Sequence, residues 1–106
     1  MSNEGDILFG LPPKVIDLIV GTISKNVKIK KIILFGSRAK GNYKRSSDID
    51  LALFSEDLNH NELLKIKVEI SELMVPNKID IVDFNKITNN DLRDHIERVG
   101  KTLFST

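Results

Sequence analysis

Apolar residues recur along this chain at two spacings, one helical and one extended. After Pro12-Pro13, the residues Val15, Ile16, Ile19, Val20 and Ile23 return every three or four positions, the stripe of a helix facing a core. Proline loses nothing at the first helical position, where its missing N–H would lack a partner anyway. The spacing predicts a helix over about 12–25. Residues 29–35 read IKKIILF, a strand whose end has no polar position, so both of its faces should be covered. Gly36 closes that run. A polar loop follows over 36–47, with one helical turn expected near Arg38-Ala39-Lys40.

A second strand is predicted over 48–54, DIDLALF. A helix is predicted over 62–74, with Leu63, Ile66, Ile70, Leu73 and Met74 on one stripe and Pro76-Asn77 breaking it. IDIVDF over 79–84 predicts a third strand. A final helix is expected over about 90–99, with Leu92, Ile96 and Val99 inward, Leu103 extending the stripe and Gly100 as the stop. The order of elements predicts an α/β (α+β) fold: a small mixed β-sheet with helices packed mainly on one face. Residues 1–11 carry little pattern and are expected to be partly mobile.

The chain has 106 residues, which favours a single domain, 1–106. Lys plus Arg is 16 and Asp plus Glu is 15, for a net charge of +1. With one Tyr and no Trp, that balance argues against direct binding of nucleic acid. Cysteine is absent, which excludes disulfides, thiolate zinc sites and cysteine nucleophiles. No apolar run reaches the roughly 20 residues that span a bilayer, and the start lacks a signal-peptide pattern. A cytoplasmic location is expected, with no membrane partner.

The candidate chemistry lies at the two ends of the long loop. Alternation places Asp48 and Asp50 on one face of their strand and Ile49, Leu51 and Leu53 on the other. Two adjacent carboxylates repel, and a hard divalent ion removes that cost while also holding phosphate oxygens. Asp80, on the third strand, can complete the set if that strand lies beside the second. Three carboxylates can hold two metal ions that clamp both the attacking and leaving oxygens of a phosphoryl transfer. Asp80 would serve the attacking hydroxyl. Asp83 has the opposite parity and is the weaker candidate.

Gly36-Ser37 supplies the complementary feature. A glycine turn lets backbone N–H groups approach an anion, Ser37 adds a hydroxyl donor, and Arg38 and Lys40 add positive charge. A lone Asp-x-Asp is usually a solvated strand edge, and a lone Gly-Ser is usually a turn. Their combination, Gly-Ser, ten residues, Asp-x-Asp, should arise by chance in roughly one chain in a thousand of this length. Gly36 to Gly41 also has the glycine spacing of a P-loop, but Asn42-Tyr43 stand where that loop needs Lys and Ser or Thr.

GSRAKG, SDIDLAL and IDIVDF together resemble the minimal nucleotidyltransferase (MNT) family of prokaryotes, within the polymerase-β-like nucleotidyltransferase superfamily. The similarity covers roughly residues 13–104, including the closing IERVGKTLF. Lys40 stands where the family has arginine, which keeps the charge and loses the fork geometry. The resemblance implies that Gly36, Ser37 and Arg38 bind the triphosphate of ATP and that Asp48, Asp50 and Asp80 hold Mg²⁺, two ions in all. It further implies transfer of AMP to a tyrosine of a helical HEPN toxin, with this chain as antitoxin. The alternative is an antitoxin that neutralises its partner by complex formation without catalysis. Such a small chain leaves a dimer or other oligomer open as the source of a complete pocket.

Other features read as plain surface. His95 and His60 resemble ordinary exposed histidines, Tyr43 is a loop residue able to stack on a base, and Lys28, Lys30 and Lys31 guard a strand from edge pairing.

Overall fold

The computed structural model describes residues 8–106. Four helices and four strands alternate: α1 (Pro13–Ile23), β1 (Ile29–Phe35), α2 (Gly36–Lys40), β2 (Ile49–Ser55), α3 (His60–Ser71), β3 (Ile79–Asp83), α4 (Asn90–Val99) and β4 (Lys101–Ser105). A single 3₁₀ turn, Phe84–Lys86, follows β3. The sheet order is β3-β2-β1-β4. β1 runs antiparallel to β2 and β4, while β2 and β3 are parallel, joined through α3.

β1, β2 and β3 divide their side chains between two cores. On one face Ile32, Leu34, Ile49, Leu51, Leu53 and Ile81 pack with Ile19 and Ile23 of α1 and Leu63, Ile66 and Ile70 of α3. On the other, Ile33 and Ala52 pack with Phe84 and with Ile96 of α4. The expected one-sided packing holds for α1 and α3, whereas α4 crosses the opposite face. This covers β1 on both sides, as its unbroken apolar run requires.

Several boundaries follow local chemistry. Asn59 caps α3 by accepting the Glu62 N–H at 2.8 Å, and the Glu62 carboxylate accepts the Asn59 N–H at 3.0 Å, a reciprocal capping box. The helix therefore starts at His60, two residues before the predicted position. It also ends at Ser71, short of Met74, whose side chain is fully exposed.

The largest departure lies at the C-terminus, where Leu103 does not extend the last helical stripe. Gly100 stops α4, and Lys101–Ser105 forms an edge strand on β1. A Cβ on Gly100 would collide with the Ile96 carbonyl and the Ile33 side chain, so only glycine lets the chain turn this close to the sheet.

Within the segment 1–11, for which partial mobility is expected, residues 8–11 form a tight turn. Leu8 and Leu11 exchange backbone hydrogen bonds of 3.1 and 2.8 Å, and Leu11 is buried. The first part, residues 1–7, lies outside the described residues.

Candidate active site

Strand register assembles the site. Asp50 and Asp80 are direct partners across the parallel β2–β3 pair, and Asp50 also faces Phe35 across the antiparallel β1–β2 pair. Register partners share a face, so Asp50, Asp80 and the last residue of β1 meet at one end of the sheet, on the face that α4 crosses. Asp48 is exposed and directly precedes β2.

Gly36 begins α2 with φ +76°, a backbone conformation that side chains resist. A Cβ there would run into Oδ2 of Asp50. Glycine is thus needed twice, for the turn and for the close approach of the turn to the carboxylate. The half-buried Ser37 follows it.

Electrostatics report the same assembly. The Asp50 carboxyl is pushed above the ordinary carboxylate value, first by burial and then by the charges of Asp80 and Asp48, against the smaller opposing pull of His95 and Lys78. Asp50 thus feels both of the other acids. Their side chains do not gather round a point: among the described residues no three acidic or histidine groups reach the spacing of a metal cage. Asp80 instead leans to Lys78, with Oδ1 3.7 Å from Nζ. The donor set nonetheless fits a hard divalent ion, since it is all carboxylate, partly desolvated and mutually repelling.

Arg38 departs from the expected role as a phosphate contact. It is buried, and its guanidinium donates to the carbonyls of Phe9 at 2.9 Å, Arg45 at 3.0 Å and Ser47 at 3.0 and 3.2 Å. The ring of Tyr43 covers it, 5.2 Å from ring centroid to guanidinium carbon, so Tyr43 stacks on an arginine. Arg38 fastens residue 9 and the loop before Asp48 to α2. Asn77 supports the same loop through the Arg45 carbonyl at 2.8 Å. Asp83, of opposite parity, is buried away from the site and caps the 3₁₀ turn by accepting the Asn85 N–H.

His95 is not the plain surface residue that a lone helix histidine suggests. The structure brings it into the site: the Gly36 N–H donates to its Nε2 at 3.3 Å, and its ring meets Phe35 edge-on with centroids 6.1 Å apart. Its place in the helix held the only hint, because His95 precedes the buried Ile96 and so flanks the face that packs on β1.

At the edge of β3, on the side of the sheet that α3 covers, a groove of about 350 Å³ opens with Asp80 among its lining residues. Ile70, Leu73, Val75 and Ile79 form its apolar wall, with Lys78 at its rim.

A mixed sheet with a glycine-serine turn against paired strand carboxylates defines a nucleotidyltransferase domain. Residues 17–106 match the family described as Polymerase beta, Nucleotidyltransferase, and the chain belongs to it. Among its relatives, the MntA of Haemophilus influenzae, named as a protein adenylyltransferase, is 39% identical over 61% of this chain and 57% of its own length. The chain thus aligns with just over half of that relative. MJ0604 of Methanocaldococcus jannaschii, named likewise, is 34% identical over 73% of this chain and 80% of its own. The crystal structure of a toxin–antitoxin with AMP-PNP superposes at a TM-score of 0.72 with 27% identity, covering 86% of this chain and 73% of that one.

Proposed function

We propose that this chain transfers AMP from ATP to a tyrosine hydroxyl of a helical HEPN toxin in the cytoplasm, and so acts as its antitoxin. The observation that carries this reading is the register pairing of Asp50 with Asp80, with Gly36 packed against Asp50. The relatives named as protein adenylyltransferases and the toxin–antitoxin with AMP-PNP support it.

Gly36 and Ser37 are the groups that would receive the triphosphate, through backbone N–H and hydroxyl. Asp48, Asp50 and Asp80 would hold the magnesium, two ions on this reading, which when bound would neutralise charge on both the carboxylates and the phosphates. Asp80 would take the proton of the incoming hydroxyl. The hydroxyl oxygen bonds to the α-phosphorus as the bond to the β-phosphate oxygen breaks, and pyrophosphate leaves. Lys78, held to Asp80 at 3.7 Å, would steady that carboxylate.

The test is incubation with α-labelled ATP, Mg²⁺ and the partner toxin. Label should reach a toxin tyrosine with the natural chain and fail to do so with an Asp48→Asn, Asp50→Asn double variant. Equal labelling by that variant overturns the assignment. Neutralisation by the variant without labelling would mean that complex formation alone silences the toxin.

A further inference from the structure

His95 belongs to none of the roles above, yet its imidazole is held at the residue on which the nucleotide reading depends. Three observations fix its setting. The Gly36 N–H donates to Nε2 at 3.3 Å. Phe35, the residue before the turn, packs its ring edge-on against the imidazole. Ile96, the next residue of α4, is buried in the same cluster as Ile33 of β1.

A nitrogen that accepts a hydrogen bond carries a lone pair. The bond from Gly36 therefore assigns Nε2 as the unprotonated nitrogen and leaves the ring's proton on Nδ1. A phosphate oxygen that takes over the Gly36 N–H must sit within about 3 Å of the Gly36 nitrogen, where Nε2 now lies, so the imidazole swings aside by about one hydrogen-bond length. The oxygen then lies against Nε2, and two lone pairs facing each other repel. Moving the ring proton from Nδ1 to Nε2 turns the repulsion into a hydrogen bond. The exchange leaves the ring's charge unchanged and breaks no heavy-atom bond.

We propose that His95 is a nucleotide-binding residue: its Nε2 accepts from Gly36 in the structure described, and donates to the phosphate that takes the Gly36 N–H in its place. The proposal rests on the nucleotidyltransferase reading and adds to it a residue from α4, outside the Gly-Ser turn and the aspartates. It also gives the packing of α4 on this face a consequence for ATP, since Ile96, the next residue, anchors the helix to Ile33.

The experiment has two arms, both using the full chain with Mg²⁺ and AMP-PNP. In the first, the ¹⁵N signal of His95 Nε2 is followed during titration with AMP-PNP. It should move from the range of a lone-pair nitrogen to that of a protonated one. In the second, AMP-PNP affinity is measured for His95→Ala and His95→Gln. Loss of a hydrogen bond to a charged group should weaken the alanine variant about tenfold or more. The glutamine variant, which retains a donor, should recover most of that loss.

The thermal midpoint of each variant is measured alongside, and the ¹⁵N arm on the natural chain stands even if an alanine variant folds poorly. Unchanged affinity in His95→Ala, or an Nε2 signal that AMP-PNP leaves in place, overturns the role of His95 while leaving the nucleotide site intact. Failure of the natural chain itself to bind AMP-PNP overturns the nucleotide reading, and this inference with it.

Discussion

The two faces of the sheet are built from the same strands and treat their side chains oppositely. Toward α1 and α3, β2 presents Ile49, Leu51 and Leu53, all fully buried. One residue out of phase, toward α4, it presents Asp50, then Ala52, then Phe54, which stacks on Phe84 at 4.2 Å. Along β2 the first face is apolar throughout. The second is apolar at one end and acidic at the other, where α4 supplies a histidine in place of another isoleucine. Alternation alone separates the two: a strand can be a stabilising element on one side and a reactive one on the other, provided register never slips.

That contrast predicts opposite outcomes for adjacent substitutions. Asp50→Asn should abolish transfer, with a rate loss of about a thousandfold or more, since removing a site carboxylate forfeits several kcal/mol of charge stabilisation. It should not destabilise the fold. Burial and two neighbouring acids raise the Asp50 carboxyl above its ordinary value. A carboxyl that binds its proton more tightly when folded penalises the folded state at pH values above that range. Removing its charge should leave the thermal midpoint at pH 7, measured in chelator, unchanged or higher. Leu51→Ala should do the reverse. It should cost about 2–5 kcal/mol in urea unfolding, the usual range for emptying a buried leucine site, with activity per folded molecule nearly intact. If Asp50→Asn also lowers stability substantially, the division of labour between the faces is wrong.

The next contrast lies within α2, between Gly36, which touches Asp50, and Arg38, which faces the other way. Arg38→Met should cost about 2–3 kcal/mol, because carbonyls of Phe9, Arg45 and Ser47 lose their donor. Arg38→Lys should recover little, since one ammonium cannot span carbonyls from two separate segments. KM for ATP should stay within about threefold of the natural value, because the guanidinium makes no contact that a phosphate would replace. A tenfold rise in KM with stability unchanged would return Arg38 to the phosphate role that its place in GSRAKG suggested.

Arg38 also shows where the sequence stops being legible. A guanidinium next to Gly-Ser reads as a phosphate ligand, and nothing local says otherwise, because its partners are backbone carbonyls whose positions depend on the fold. Asp50 and Asp80 were legible for the opposite reason: parity within each strand fixes their face, and only the adjacency of β2 and β3 had to be supplied. β4 was hidden because Leu92, Ile96, Val99 and Leu103 keep helical spacing straight through Gly100. What ends the helix is the close approach of Gly100 to Ile33, a tertiary fact. His95 is illegible on similar grounds, since a histidine on an amphipathic helix gains meaning only once α4 is laid across the end of β1.

A smaller effect tests whether α3, remote from the site, is merely scaffold. Asn59→Ala removes the capping side chain that accepts the Glu62 N–H and should cost about 1 kcal/mol. Transfer should be unaffected when measured well below the unfolding midpoint. A drop in kcat would instead mean that α3, through Ile70 and the groove beside Asp80, transmits strain to the acidic end of the sheet.

The smallest effect concerns pH at that same helix start. Glu62 is held below its ordinary value of 4.5, first by the N–H of Asn59 and then by Lys28. Lys28, whose Nζ lies 2.8 Å from the carboxylate, is raised above 10.5 chiefly by that bond. A carboxyl whose folded value is depressed contributes stability that is present above its unfolded value and lost as pH falls through the folded one. A raised lysine contributes below its unfolded value and loses the contribution as pH rises through the folded one. The pair should therefore add a plateau of stability between these limits, declining below about pH 4.5 and above about pH 10.5. Both groups are open to solvent, so the plateau should be shallow and should shrink in high salt. Urea midpoints across pH 3–6 for the natural chain and Glu62→Gln check it: the difference should be greatest at pH 6 and close as the carboxylate is protonated. A difference that persists unchanged at pH 3 would assign the effect of Glu62 to packing, leaving Asn59 as the polar anchor of the helix's first turn.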